Sequence, residues 1–513
     1  MNNTEPLVFS FDFGTQSVRA MLVDKCGKIV ALVREKYLPS YYSKKIGYAE
    51  QSFDTYYKHA CLASNKLKEQ NKELFENIIC VTITTIRDTF TCTDEKGNPI
   101  RDFILWLDQR RAEEQEKMPL FKRLIFKAVG MEYAIERQRE ICRPAWIRQN
   151  EPDLWSKTKK FCNISAILNA RLTGNFVDCD ASCIGRVPFN YKKRNWMKSN
   201  ELTYELFGLE PDKFIKIVKP TSKIGEITRK ASLETGLKEG LPVIASGSDK
   251  GCETIESGVM NNYSAALSMG TSATIQFATK KYVEPTAFLP AYPSPNPDFY
   301  NPELQVMRAG WMFYWFIENF GYEDKLIAAK EGVSPEHILN RQLDKVPLGS
   351  GGLILLPYWN APLKQPEARG SILGFMPDHN KYYIYRAIME GVVFTLYQGF
   401  KTLEKNSKHH TKFLVISGGS SVSETICQIV ADIFNLPVKR SKESEACGLG
   451  SAMCGFVGMG IYKSFNEAAS NMVGYAKTYE PIKENHQEYE KIYQTKFKKI
   501  YPSIRGVYKN YIK

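Results

Sequence analysis

Three glycine turns and a few acids carry the chemistry visible in this chain. The turns are Gly14-Thr15 in "FSFDFGTQSVRA", Gly270-Thr271-Ser272 in "SMGTSATI" and Gly418-Gly419-Ser420-Ser421 in "VISGGSSVSE". Backbone N–H groups in such turns, with hydroxyls beside them, cradle phosphate oxygens. Glycine is needed where a Cβ would block the approach. None fits G-x-x-x-x-G-K-[ST], so a P-loop is excluded. Alone, each reads better as a hairpin or bulge glycine. Three together, each beside a β-like run, point to nucleotide binding.

Asp12 lies where an apolar strand meets the first turn. A carboxylate there is costly unless a cation meets it. Mg²⁺ held through water would serve, and so would Arg19 across the turn. Asp249, in "VIASGSDKGC", follows a second apolar run in the same way. An aspartate so placed can take the proton of an attacking hydroxyl in phosphoryl transfer; it can equally cap the helix that follows. Arg87 and Asp88 come directly after the β-branched run "IICVTITT". They form either a surface pair of little worth or a clamp on vicinal hydroxyls, one donating and one accepting. Trp106, in "ILWLDQR", offers an apolar face to the C–H side of a sugar, or else packs in the core. Asp108 and Arg110 would shape that surrounding.

The elements that must hold these residues alternate between strand and helix. Val8 to Phe13, Ala20 to Val23 and Ile29 to Val33 are strand-like, with a turn over 24–29. A helix follows over 50–70, with Ser52 or Asp54 near its cap. Ile78 to Thr85 is a buried strand. The order returns later: Ala265 to Met269 and Thr274 to Ala278, then Phe413 to Gly419, the helix "ETICQIVADIF", "LPVKR", and a helix around "GLGSAMCGFVGMG". This is an α/β signature. No sequence repeat is detectable, yet two similar domains facing one cleft account for the order. The boundary is placed near residue 252, giving domains 1–252 and 253–513.

At 513 residues the chain exceeds one hydrophobic core. Apolar content of 43% and charged content of 24% are ordinary for a soluble globular protein. No eighteen-residue apolar run and no signal-like start is present, so a cytoplasmic enzyme without membrane insertion is expected. The net charge is +13, but the lysines are scattered, so nucleic acid is not expected as partner. A positive field does favour an anionic substrate such as a nucleotide. None of the twelve cysteines forms C-x-x-C and no H-E-x-x-H occurs, so reduced thiols and no structural metal are expected.

These motifs resemble the FGGY carbohydrate kinases of the actin, hexokinase and Hsp70-like superfamily. "DFGTQSVRA" resembles the family's first phosphate motif, and "GYAEQSFDTYY", "ILWLDQR" and "NARLTGNFVDCDAS" resemble its N-terminal segments. "GSDKG" resembles the segment of the catalytic aspartate, and "MGTSATI" the second phosphate motif. "EARGSILGF", "SGGSSVSETICQIVADIFNLPV" and "ESEACGLGSAMCG" resemble its C-terminal elements. The resemblance implies two RNase H-like α/β domains around a cleft that binds ATP, Mg²⁺ and a sugar or polyol. Asp249 would be the general base and Asp12 would position Mg²⁺. Gly14, Thr15, Gln16, Ser17 and Arg19 would line one side of the γ-phosphate, and Gly270, Thr271 and Ser272 the other. Gly418, Gly419, Ser420 and Ser423 would border the adenosine.

Arg87-Asp88 resembles the Arg-Glu pair of glycerol kinases, and Trp106 the aromatic they stack on their polyol. Asp88 is one methylene shorter than Glu, Arg143-Pro144-Ala145-Trp146 stands at a K-x-x-W element, and Lys250 replaces a Gln. Lys250 would suit a carbonyl or acidic group on the substrate. A small polyol or ketose is therefore expected, glycerol-, xylulose- or ribulose-like. The alternatives are an autoinducer-2-type kinase, or a non-catalytic sugar sensor or ATPase switch on the same fold. A homo-oligomer is plausible by resemblance.

Overall fold

The computed structural model describes residues 5–113, 118–270, 272–362 and 365–509. Two six-stranded sheets organise it. The first is built from β1 (Leu7–Phe13), β2 (Ser17–Asp24), β3 (Ile29–Lys36), β4 (Ile78–Thr85), β5 (Lys223–Glu226) and β6 (Pro242–Ile244), in the order β5-β6-β4-β1-β2-β3. The three opening strands form an antiparallel meander, and β4 and β6 join it in parallel. The second sheet uses β7 (Ser264–Met269), β8 (Ala273–Gln276), β9 (Glu303–Val306), β10 (Phe413–Ser417), β11 (Val438–Ser441) and β12 (Tyr475–Tyr479), in the order β9-β8-β7-β10-β11-β12. Here too an antiparallel meander is joined by two parallel strands. The duplication that the sequence hides is explicit in this topology.

Strand periodicity decides which face carries chemistry. In β1, Leu7, Phe9, Phe11 and Phe13 enter a core with Tyr56, Ala60 and Leu67 of helix α1 (Phe53–Gln70). Val8 joins a different cluster on the opposite face, where the Ser10 hydroxyl donates to the Gly448 carbonyl at 2.9 Å. Asp12 continues that second series. Its face is covered by helix α4 (Ala446–Gly458), which comes from the far end of the chain. Helix α2 (Asp249–Glu256) lies between the sheets and helix α3 (Glu424–Phe434) covers the second sheet.

Helices α2 and α4 cross in near-backbone contact. A Cβ on Gly450 would lie 1.9 Å from the Cys252 carbonyl oxygen. Residue 252 thus sits inside a helix, and the C-terminal half returns through α4 to cover the first sheet. Ser52 caps α1, accepting from the Thr55 N–H at 3.2 Å.

A smaller sheet of Glu50–Gln51, Phe90–Thr93, Phe103–Ile104 and Lys160–Asn163 flanks the first domain and carries Trp106 on its outgoing loop. Among the described residues no helix is long and apolar enough to cross a membrane.

Candidate active site

Asp249 is the first residue of α2, and Ser248 rather than Asp249 is its cap, the serine hydroxyl accepting from the Gly251 N–H at 3.4 Å. The alternative of Asp249 as an N-cap therefore fails, because the preceding serine already fills that position. The Asp249 carboxylate accepts from the Lys250 N–H at 2.8 Å. Its side chain is 24% exposed, enough to meet a ligand. Burial raises its pKa, while Arg87 and Lys250 pull it down. The Arg87 Nε lies 3.8 Å from Asp249 Oδ1.

Asp12 is buried and pairs with Arg19 at 3.1 Å. Arg19 also meets Glu445 at 2.6 Å, and Glu445 takes Arg34 as well. Burial pushes the Asp12 carboxyl up to about 6; Arg19 opposes this, and Glu445 and Asp249 add to it. The second oxygen, Oδ1, has no hydrogen bond among the described residues. Two carboxylates that repel one another, one with a free oxygen, fit a hydrated divalent cation. Among the described residues no three side-chain ligands gather, so such a cation would rest mainly on water and phosphate oxygens, the usual situation for Mg²⁺.

The first turn is closed by the Gly14 N–H donating to the Ser17 carbonyl at 3.0 Å. Ser17 is buried in β2, Gln16 is exposed, and the Thr15 hydroxyl accepts from the Trp106 indole N–H at 3.0 Å. Thr271 lies outside the described residues; Gly270 beside it is half-buried and Ser272 is buried. Gly418 has φ +88°, and a Cβ there would come within 2.8 Å of the Met269 backbone. The third turn is thus pressed against the strand that leads into the second. Gly419 has open space around it and Ser420 is half-buried. Ser423 caps α3, its hydroxyl accepting from the Ile426 N–H at 3.4 Å.

Arg87 and Asp88 do not form a pair with one another. The Arg87 Nη2 donates to both Glu303 oxygens, at 3.0 and 3.2 Å, and its guanidinium lies 5.0 Å from the centroid of the Tyr292 ring. Asp88 turns away at φ 52°. Its Oδ1 accepts from the Arg186 N–H at 2.9 Å, its Oδ2 meets the Arg186 guanidinium, and Arg143 stands 3.7 Å off. Lys250 donates to Glu253 at 2.8 Å and to Ser268 at 2.7 Å, and Ser417 donates to the same glutamate at 2.5 Å. Lys250 thereby docks α2 onto the ends of β7 and β10. Asp108 and Arg110 make the expected local scaffold, paired through two 2.8 Å bonds. The Arg110 guanidinium lies 4.1 Å and 4.5 Å from the Tyr48 and Trp146 rings.

The sequence reading missed Glu303, Gln276, Arg186 and Tyr292. Glu303, Gln276 and Tyr292 stand beside no glycine turn and in no charged pair with local meaning, and Arg186, although it follows Gly185, has apolar neighbours and no acid beside it, so no linear signal marks their roles. Glu445 lies inside the quoted stretch "ESEACG", where an acid just before a helix could have been noticed.

Each half of the chain is an RNase H-like α/β domain, the fold of the actin and hexokinase kind. The chain belongs to the FGGY family of carbohydrate kinases: the N-terminal domain model matches residues 7–255 and the C-terminal domain model residues 265–459. It is 26% identical over 494 residues to the uncharacterized sugar kinase YgcE of Escherichia coli, covering 96% of this chain and 93% of that one. It is also 26% identical over 511 residues to a xylulose kinase of Staphylococcus epidermidis, covering 97% of each. A gluconate kinase structure from Lactobacillus acidophilus superposes with a TM-score of 0.82 at 23% identity, over 99% of this chain and all (100%) of that one, which speaks to fold.

Proposed function

We propose that this kinase transfers the γ-phosphate of ATP to a hydroxyl of a small polyol or ketose, with Asp249 as general base. The placement of Asp249 carries the reading. It starts a helix, is accessible, has a raised proton affinity, and faces a guanidinium. A carboxylate in that state accepts the proton of an attacking hydroxyl as the O–P bond forms. Xylulose kinase among the relatives favours a ketopentose.

In this reading the Gly14-Thr15, Gly270-Thr271-Ser272 and Gly418-Gly419 turns bind the phosphates and adenosine through backbone N–H groups. Asp12 holds Mg²⁺ through water; bound there, the ion neutralises charge on the phosphate oxygens. Trp106 gives the sugar an apolar wall and Arg87 offers Nη1, which has no partner among the described residues. Domain closure excludes water, which suppresses idle ATP hydrolysis.

The test is ADP release from ATP and Mg²⁺ against glycerol, erythritol, D- and L-xylulose, D- and L-ribulose, L-fuculose, gluconate and a dihydroxypentanedione-type autoinducer, beside Asp249→Asn. One substrate whose turnover is lost in the variant supports the reading. Silence across the panel with ATP still bound points to a sugar outside the panel or to a non-catalytic sensor, and turnover kept in Asp249→Asn overturns the base assignment.

A further inference from the structure

Glu303 opens β9 in the second domain, and only 7% of it is exposed. A buried carboxylate without a partner is strongly destabilising. Its partner is Arg87, which lies in the other domain, directly after β4. Gln276 on β8 donates to Glu303 Oε2 at 2.6 Å, and the Thr254 hydroxyl donates to Gln276 Oε1. Thr254 belongs to α2, the helix that Asp249 begins. The contacts therefore close a ring. It leaves Asp249 for Arg87, crosses to Glu303, and returns through Gln276 and Thr254 to the helix of Asp249.

The ring uses the guanidinium fork selectively. Glu303 occupies Nη2, so Nε stays turned toward Asp249 at 3.8 Å and Nη1 is left for a ligand. A planar fork held at one edge cannot swing its other donors away. The bland alternative is a brace between strands, since Gln276 and Glu303 are register partners in β8 and β9. A brace accounts for the Gln276 contact and leaves the contact to Arg87 unexplained.

The geometry points to Glu303 as a positioning residue that acts through Arg87: the second domain holds the guanidinium that orients Asp249 and meets the sugar. This rests on the assignment of Asp249 as the base. It makes the productive arrangement depend on both domains, because Arg87 and its anchor come from opposite sides of the cleft.

A double-mutant cycle on the full-length enzyme tests it, with the sugar that gives turnover. Glu303→Gln is expected to lower kcat about 10- to 100-fold, the cost of a misplaced reacting group, with KM for ATP little changed and the thermal midpoint lowered, because Arg87 loses its buried partner. In an Arg87→Ala background the same substitution should change kcat less than about twofold, since coupled residues are not additive. Glu303→Asp keeps the charge, so it should fold and retain intermediate turnover.

An equal loss from Glu303→Gln in both backgrounds makes Glu303 a brace and overturns the inference. Wild-type kcat in both Glu303→Gln and Glu303→Asp overturns it too. Asp249→Asn run alongside separates the two readings. Turnover kept in that variant removes the base assignment, whereas turnover lost there and kept in Glu303→Gln removes only the role of Glu303.

Discussion

The indole N–H of Trp106 donates to the Thr15 hydroxyl at 3.0 Å. The wall proposed for the sugar is thereby tied to the turn proposed for the phosphate. Trp106→Phe keeps an aromatic face and deletes this bond, a net loss of about 0.5–1.5 kcal/mol. We expect kcat/KM to fall about 2- to 13-fold for both sugar and ATP. Trp106→Ala should add a further rise in KM for the sugar alone. Steady-state kinetics with each substrate varied in turn decides this; an effect of Trp106→Phe confined to the sugar would show that the link to Thr15 is idle.

Asp249→Asn should lower kcat by about 10²–10⁴, the usual worth of a positioned base, with ATP affinity by calorimetry unchanged. The pH profile carries the same information. Burial raises the Asp249 pKa above its ordinary 3.8, and the base works only when deprotonated. Activity should therefore fall with decreasing pH along a limb centred above that ordinary value. A limb at or below it would put the protonation elsewhere.

Two glycines should respond in opposite ways. Gly450→Ala drives a Cβ to 1.9 Å from the Cys252 carbonyl, forcing α2 and α4 apart. Overpacking of this kind costs about 1–3 kcal/mol, or roughly 2–4 °C of Tm for each kcal/mol in a domain of this size. Gly419→Ala meets nothing within 4 Å, so Tm should hold while KM for ATP rises if the turn meets the nucleotide. Calorimetry and ATP titration on both variants distinguish a packing glycine from a binding one.

Glu256 is a carboxyl that folding disfavours as an anion. It is 1% exposed, its Oε1 accepts from Ser441 at 2.7 Å, and its Oε2 is without a partner. Burial pushes its pKa from 4.5 up to about 8. The unfolded chain ionises it first, so stability should decline as pH rises from about 4.5 to about 8 and then level off. Glu256→Gln keeps the acceptor for Ser441 and removes the titration. Tm of the variant should exceed the parent's at pH 8 and match it near pH 4; an equal Tm at both pH values would refute this.

Asp12→Ala should cost activity that added Mg²⁺ restores only in part. It should also loosen Arg19, which would keep only Glu445 as partner. Activity measured across a Mg²⁺ titration checks the first effect. Full activity at ordinary Mg²⁺ would remove Asp12 from the metal site.

Short-range physics is written into neighbouring residues and is legible there. The apolar run Val8 to Phe13 falls within β1, and the β-branched run 78–85 matches β4 residue for residue. The stretch "ETICQIVADIF" matches α3 equally, and the glycine turns stood where strands must stop. How charge is shared depends on contacts between distant parts of the chain. Arg87 looks locally like a partner of Asp88, yet it meets Glu303 across 216 positions, while Asp88 meets Arg186 at a separation of 98. Lys250, expected to suit a carbonyl or acidic group on the substrate, is held by Glu253 and Ser268. Asp88 sits in a bend at φ 52°, which turns its side chain away from that of Arg87, so these sequence neighbours are not neighbours in charge. Which distant ion each one meets depends on where the chain returns, and here it returns through a second domain.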